Sequence, residues 1–192
     1  MNAVRRLVYL DTGVLLRRAE AFAEPMSPRV AAIKPHLDAL FQDPSVELGC
    51  SDITLMEFHS NLNADLRSGE FPQWDFAWYQ SAQENVFRLV ADGQLTIVPT
   101  PAHCFELAMA LISEATITQK RALHSWDAAH TIIAAQWSYK RGEAVEIYSG
   151  DSDFEVPLLV SSFGGRLSVT NLDVLAGTGL GRDRRNLLRP TD

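Results

Sequence analysis

Short apolar runs alternate along this chain with longer stretches of helical periodicity, and that alternation restricts the fold more than any other feature. Leu7–Leu10, Val46–Cys50, Leu95–Val98 and Val145–Tyr148 are short, bounded by turn or cap signals, and read as buried strands. A last short strand is predicted near Leu167–Thr170. Between them the spacing predicts helices over Thr12–Phe22, over Pro28–Gln42 with a bend at Pro35, and from a cap at Ser51 or Asp52 onward. Further helices are predicted over Pro72–Ala91, from Ala102 to Glu114 or slightly beyond, and from a cap at Ser125 to Lys140, closed by Gly142. Ser27 followed by Pro28 supplies an N-cap and a first-turn proline. Strands separated by helices require crossover connections, and crossovers cover both faces of a parallel sheet. The predicted fold class is therefore α/β, a three-layer α/β/α sandwich with a central parallel sheet. Residues 1–170 form the predicted domain and residues 171–192 a C-terminal extension whose end is a candidate for disorder.

A chain of 192 residues suits one such domain, and 46% hydrophobic against 21% charged residues is ordinary globular composition. No apolar run is long enough to cross a bilayer. The run Leu7–Leu10 stops at Asp11, which is short for the core of a secretion signal. Cys50 and Cys104 form no Cys-x-x-Cys pair, so neither a disulfide framework nor a cysteine zinc site is suggested, and a cytoplasmic location is expected. The net charge of −7 argues against general affinity for nucleic acid, but not against a metal site whose carboxylates are neutralised by bound cations. The segment Arg182–Asp192 runs the other way, with four arginines against two aspartates.

In open α/β sheets ligands bind beyond the carboxyl ends of the strands. Asp11 directly follows the first strand, and Asp151 lies three residues after the fourth. Glu57 sits two turns into the helix after the second strand, and Asp127 is in the first turn of the helix that precedes the fourth. Each acid has an ordinary structural explanation on its own. Asp11 can cap a helix, Asp127 suits a helix dipole, Asp151 and Asp153 suit an Asx-turn, and Glu57 suits a solvated helix face. Their surroundings and order carry more. Leu7-Val8-Tyr9-Leu10-Asp11-Thr12, Ser51-Asp52-Ile53-Thr54-Leu55-Met56-Glu57-Phe58, Trp126-Asp127-Ala128-Ala129-His130 and Tyr148-Ser149-Gly150-Asp151-Ser152-Asp153-Phe154 resemble, in sequence order, the four acidic motifs of PIN domains. The resemblance covers about residues 5–170 and includes VapC-like toxin ribonucleases.

The resemblance implies that Asp11, Glu57, Asp127 and Asp151 bind metal and form the catalytic set, with Asp153 auxiliary. It places Thr12 and Ser149 where they can hydrogen-bond a ligand carboxylate or a metal-bound water. The implied cofactor is Mg²⁺ or Mn²⁺, both of which prefer oxygen ligands. The implied activity is endoribonuclease cleavage of RNA, leaving a 5′-phosphate and a 3′-hydroxyl. Implied partners are an antitoxin-like inhibitory protein and a second copy of the chain. Arg17, Arg18, Lys120 and Arg121 are weak candidates for contacts to the RNA backbone. The chain exceeds the compact toxins in the Ala21–Asp43 and Gly69–Ala91 regions and after Asn171.

Other chemistries fit less well. Asp11-Thr12-Gly13 spells the aspartic-protease triplet, but that chemistry needs a paired aspartate in an all-β setting. A haloacid-dehalogenase-like phosphatase would use Asp11 as nucleophile, yet Gly13 stands where its general acid belongs. Zinc held by His124 and His130 lacks a third ligand, and these two with His103 read as structural or surface residues. A non-catalytic PIN-like module that binds protein or RNA is the rival from another class. The aromatic stretch Pro72–Ala91 suits core packing or a protein interface better than base stacking.

Overall fold

The structure, a computed structural model, describes residues 5–22, 26–68, 75–119, 123–150 and 163–177. Five strands form one sheet: β1 (Arg6–Leu10), β2 (Val46–Ser51), β3 (Leu95–Val98), β4 (Val145–Ser149) and β5 (Leu167–Asn171). Their spatial order is β3-β2-β1-β4-β5 and every pairing is parallel. The helices are α1 (Thr12–Glu20), α2 (Pro28–Gln42), α3 (Asp52–Ser68), α4 (Phe76–Ala91), α5 (Cys104–Gln119), α6 (Ser125–Arg141) and the single turn α7 (Leu172–Leu175). Successive side chains of a strand point to opposite faces, and β1 divides accordingly. Leu7 and Tyr9 join the core under α5 and α6, whereas Val8 and Leu10 join the core under α1, α2, α3 and α4. This is the three-layer parallel α/β sandwich that the alternation predicts.

The helix starts follow from local chemistry. Asp11 caps α1 by accepting from Val14 N–H at 2.8 Å. Ser27 caps α2 by accepting from Val30 N–H at 3.2 Å, and that helix runs unbroken through Pro35. At α3 the cap is Ser51, whose Oγ accepts from Thr54 N–H at 3.1 Å while Thr54 Oγ1 accepts from Ser51 N–H at 3.2 Å. Several boundaries differ from expectation: α1 ends at Glu20, α4 starts at Phe76 and α5 starts at Cys104. The N-cap of α6 is His124 rather than Ser125, because Ser125 is already helical. Helix α5 continues to Gln119, since Leu111 and Ala115 keep its inner face buried. Gly142 closes α6 at φ 72°, a left-handed conformation that only glycine enters cheaply.

The packed structure also extends past residue 170, where α7 buries Leu172 and Asp173 completely. On α4, Trp78 and Tyr79 pack against the core, while Phe76 and Phe87 are exposed. Among the described residues no helix is long and apolar enough to cross a membrane. Pro25, Pro72–Trp74, Lys120, Arg121, the segment Asp151–Phe154 and the arginine-rich end lie outside the described residues.

Candidate metal centre at the carboxyl edge of the sheet

A parallel sheet brings one end of every strand to the same edge. Asp11 stands at that edge because it directly follows β1. Helix α3 starts there from β2, so Glu57 in its second turn remains near the edge. Helix α6 runs toward the start of β4, so its first turn, with Asp127, lies at the same edge. Sequence order and crossover geometry together place three of the four predicted acids on one side of the molecule. Asp151, the fourth, and Asp153 lie outside the described residues, as do Lys120 and Arg121.

Asp11 is almost fully buried and both of its oxygens are engaged. Oδ1 accepts from Val14 N–H, and Oδ2 accepts a short hydrogen bond from the Ser149 hydroxyl at the end of β4. Burial pushes the Asp11 carboxyl above the usual carboxylate range, and the Ser149 and Val14 bonds, with the positive fields of Arg17 and His130, pull against that rise. A carboxylate has about four lone-pair sites, so two accepted bonds leave it able to serve as a ligand.

Glu57 is half-buried and its Oε2 is held from two sides. Thr12 Oγ1 donates to it at 2.5 Å, and His130 Nε2 lies 3.2 Å away. The other ring nitrogen of His130, Nδ1, is 3.0 Å from the Tyr9 hydroxyl. That hydroxyl also lies 3.0 Å from Ser51 Oγ and 3.1 Å from Thr54 Oγ1. Tyr9, Ser51, Thr54 and His130 are all buried, so a polar network runs beneath the edge from β1 through the start of α3 to α6. Asp127 is half-buried one helical turn before His130, and its carbonyl accepts from Thr131 Oγ1 at 2.8 Å.

Behind Asp11 lies a second charged group. Asp173 of α7 has no exposed side-chain surface and accepts from Arg17 Nη2 at 3.1 Å and Arg29 Nε at 2.9 Å, with a further short bond from Arg29 Nη2. Arg17 Nη1 also donates to the Gly13 carbonyl at 3.2 Å. The guanidinium fills the space beside Gly150, where an added Cβ would lie 1.7 Å from Nη1. Arg17 is thus a buried counter-charge to Asp173. Arg18 is likewise engaged, bonded to Asp38 at 2.5 Å with its guanidinium 4.7 Å from the ring centres of both Phe22 and Phe41. Both guanidinium groups are held in ion pairs within the protein.

The oxygen-only donors Asp11, Glu57 and Asp127 suit a hard divalent cation, and a buried carboxylate with a raised pKa is a group that a nearby cation would relieve. Among the described residues no three His, Cys, Asp or Glu side chains already stand close enough to hold an ion, and the fourth predicted ligand is not among them. Sequence reasoning missed Tyr9 and the role of His130. The available signal was spacing: Tyr9 lies on β1 two residues before Asp11, and His130 lies one turn from Asp127.

No family model matches the chain, and no curated protein sequence does. Solved structures match it in fold. A chain of FitAcB from Neisseria gonorrhoeae superposes with a TM-score of 0.54 at 18% identity, covering 86% of this chain and 97% of that one. A chain of FitAB bound to IR36 DNA gives 0.52 at 19% identity, covering 86% and 94%. A chain of VapBC2 from Rickettsia felis, bound to a DNA fragment from its promoter, gives 0.51 at 14% identity, covering 86% and 98%. At these identities the likeness is one of fold.

Proposed function

We propose, for a chain whose fold is that of the VapC-like PIN domain, that it is a Mg²⁺- or Mn²⁺-dependent endoribonuclease and the toxin of a toxin–antitoxin pair. The observation that carries this reading is Asp11, a buried carboxylate at the carboxyl end of β1, held in place by Val14 N–H and the Ser149 hydroxyl, with the next residue, Thr12, bonded to Glu57. Asp11, Glu57, Asp127 and Asp151 would hold the cation. When bound, a divalent ion lowers the pKa of a water and offsets charge developing on a phosphate.

The chain's own residues supply the rest. Ser149 and Val14 fix the Asp11 carboxylate so that it need not reorganise, and Thr12 and His130 do the same for Glu57. Arg17, held by Asp173, lends positive potential to Asp11 and opposes the rise that burial imposes on its carboxyl. Acids at this edge would repel a phosphodiester unless their charge were compensated, which makes activity depend on the cation. The solved relatives are two-component assemblies, FitAB and VapBC2, and this supports an inhibitory partner protein for this chain. Assembly as a homodimer in the cytoplasm belongs to the same reading.

The test is cleavage of end-labelled RNA by purified protein with Mg²⁺, with Mn²⁺ and with EDTA, comparing wild type with Asp11→Asn. Metal-dependent products bearing a 5′-phosphate, lost in Asp11→Asn while circular dichroism stays native, are expected. Cleavage at the wild-type rate by Asp11→Asn would sink the assignment. A well-folded wild type that binds RNA and cuts none would favour the non-catalytic binding module.

A further inference from the structure

The buried network under the carboxyl edge joins the three segments that bear the described acids. Tyr9 lies on β1 two residues before Asp11, Thr54 lies on α3 three residues before Glu57, and His130 lies on α6 three residues after Asp127. Their polar atoms meet within 3.0 to 3.1 Å of the Tyr9 hydroxyl. Tyr9 has no exposed surface, His130 is 1% exposed and Thr54 has none. A core that serves packing alone has no need of a histidine, a tyrosine hydroxyl and two further hydroxyls, and burying them is unfavourable unless all are bonded.

We infer that His130 and Tyr9 are positioning residues for Glu57, and that their network fixes how the three acid-bearing segments stand relative to one another. The inference rests on the proposed metal site for its consequence, but not for its geometry. An ionised carboxylate only accepts hydrogen bonds, so the contact of His130 Nε2 with Glu57 Oε2 at 3.2 Å places a proton on Nε2. Nδ1 is anchored by the Tyr9 hydroxyl, which fixes the plane of the ring. Thr12 completes the hold on the same oxygen from the opposite segment. Removing the tyrosine hydroxyl leaves Nδ1 the longer contact with Thr54 Oγ1 at 3.5 Å, which loosens the ring, and Glu57 loses part of its fixed orientation although none of its own atoms has changed. Partners of this kind, one step removed from a metal ligand, typically cost 10- to 100-fold in metal affinity when deleted.

Three variants test this. Tyr9→Phe removes one buried hydroxyl and keeps the ring packed, His130→Gln removes the imidazole, and Ser138→Ala removes a fully buried hydroxyl elsewhere on α6, bonded to the Glu143 carbonyl at 2.5 Å. Mn²⁺ affinity is measured by calorimetry, together with the unfolding midpoint of each protein. Tyr9→Phe and His130→Gln should weaken Mn²⁺ binding about 10- to 100-fold, whereas Ser138→Ala, matched for loss of stability, should leave it within about twofold. A second readout needs no metal: nitrogen-15 spectra of metal-free wild type should show His130 protonated at Nε2, with that signal displaced in Tyr9→Phe. Mn²⁺ affinities that follow stability alike in all three variants would overturn the inference, as would an unprotonated Nε2 in wild type. If wild type binds no Mn²⁺ the metal reading fails, and the positioning role of His130 then stands or falls on the spectrum alone.

Discussion

Replacing Asp173 by asparagine keeps the shape of the side chain and deletes a negative charge bonded to both Arg17 and Arg29. Asp173 is fully buried and the Arg17 side chain is only 13% exposed, so Arg17 cannot turn out to water when its partner is neutralised. Arg29, at 33%, can partly do so. Breaking a buried ion pair by removing one partner typically costs about 3–5 kcal/mol, because it leaves an uncompensated charge. Glu20 is buried nearby and acts favourably on both arginines, which places the expected loss near the lower end, at about 3 kcal/mol. For a chain of this size that corresponds to a fall in Tm of roughly 6–12 °C. Thermal and urea unfolding at neutral pH, followed by circular dichroism, measures it directly. The double variant Arg17→Met with Asp173→Asn should cost less than the sum of its parts, by about 0.5–3 kcal/mol. A loss below about 1 kcal/mol, or strict additivity, would refute the claim that this triad anchors α7 to α1 and α2.

Two further outcomes follow from the same edge of the sheet. Burial raises the Asp11 pKa in the folded protein, so between the unfolded and folded values the native state binds more protons, and metal-free stability falls as pH rises through that interval. Asp11→Asn should remove this slope and raise Tm in EDTA at neutral pH, checked by Tm against pH, and an unchanged slope would contradict it. Gly150→Ala drives a methyl group into the Arg17 guanidinium, which Asp173 and the Gly13 carbonyl hold in place, and should cost about 1–3 kcal/mol in urea unfolding. Wild-type stability in that variant would show that Arg17 is free to move.

The fold was legible because its signals are local. Each strand is a run of apolar residues between breakers, and Asp11, Ser27 and Ser51 announce the helices that they cap. That Asp11, Glu57 and Asp127 stand at one edge was legible for the related reason that a parallel sheet converts position at a strand end into position in space. The ion pair of Arg17 was not legible because its partner Asp173 lies 156 residues away, and nothing local distinguishes a paired buried arginine from a solvated one. His130 was undervalued because α6 buries ten residues spread over most of its surface, so helical periodicity gave no inner face on which to place it. Asp173 itself fell in a stretch read as an appendage, since one helical turn after a short strand carries no periodic signal.

The most direct test of the account is thermal unfolding in EDTA, Mg²⁺ and Mn²⁺ for wild type and Asp11→Asn. A ligand that binds only the native state adds about 2.7 kcal/mol at a hundredfold excess over its Kd, or roughly 5–11 °C in Tm for this chain. A metal-dependent rise in the wild type that Asp11→Asn loses is the predicted result. No rise at millimolar metal, or an equal rise in both proteins, would contradict the assignment of Asp11 as the centre of a metal site.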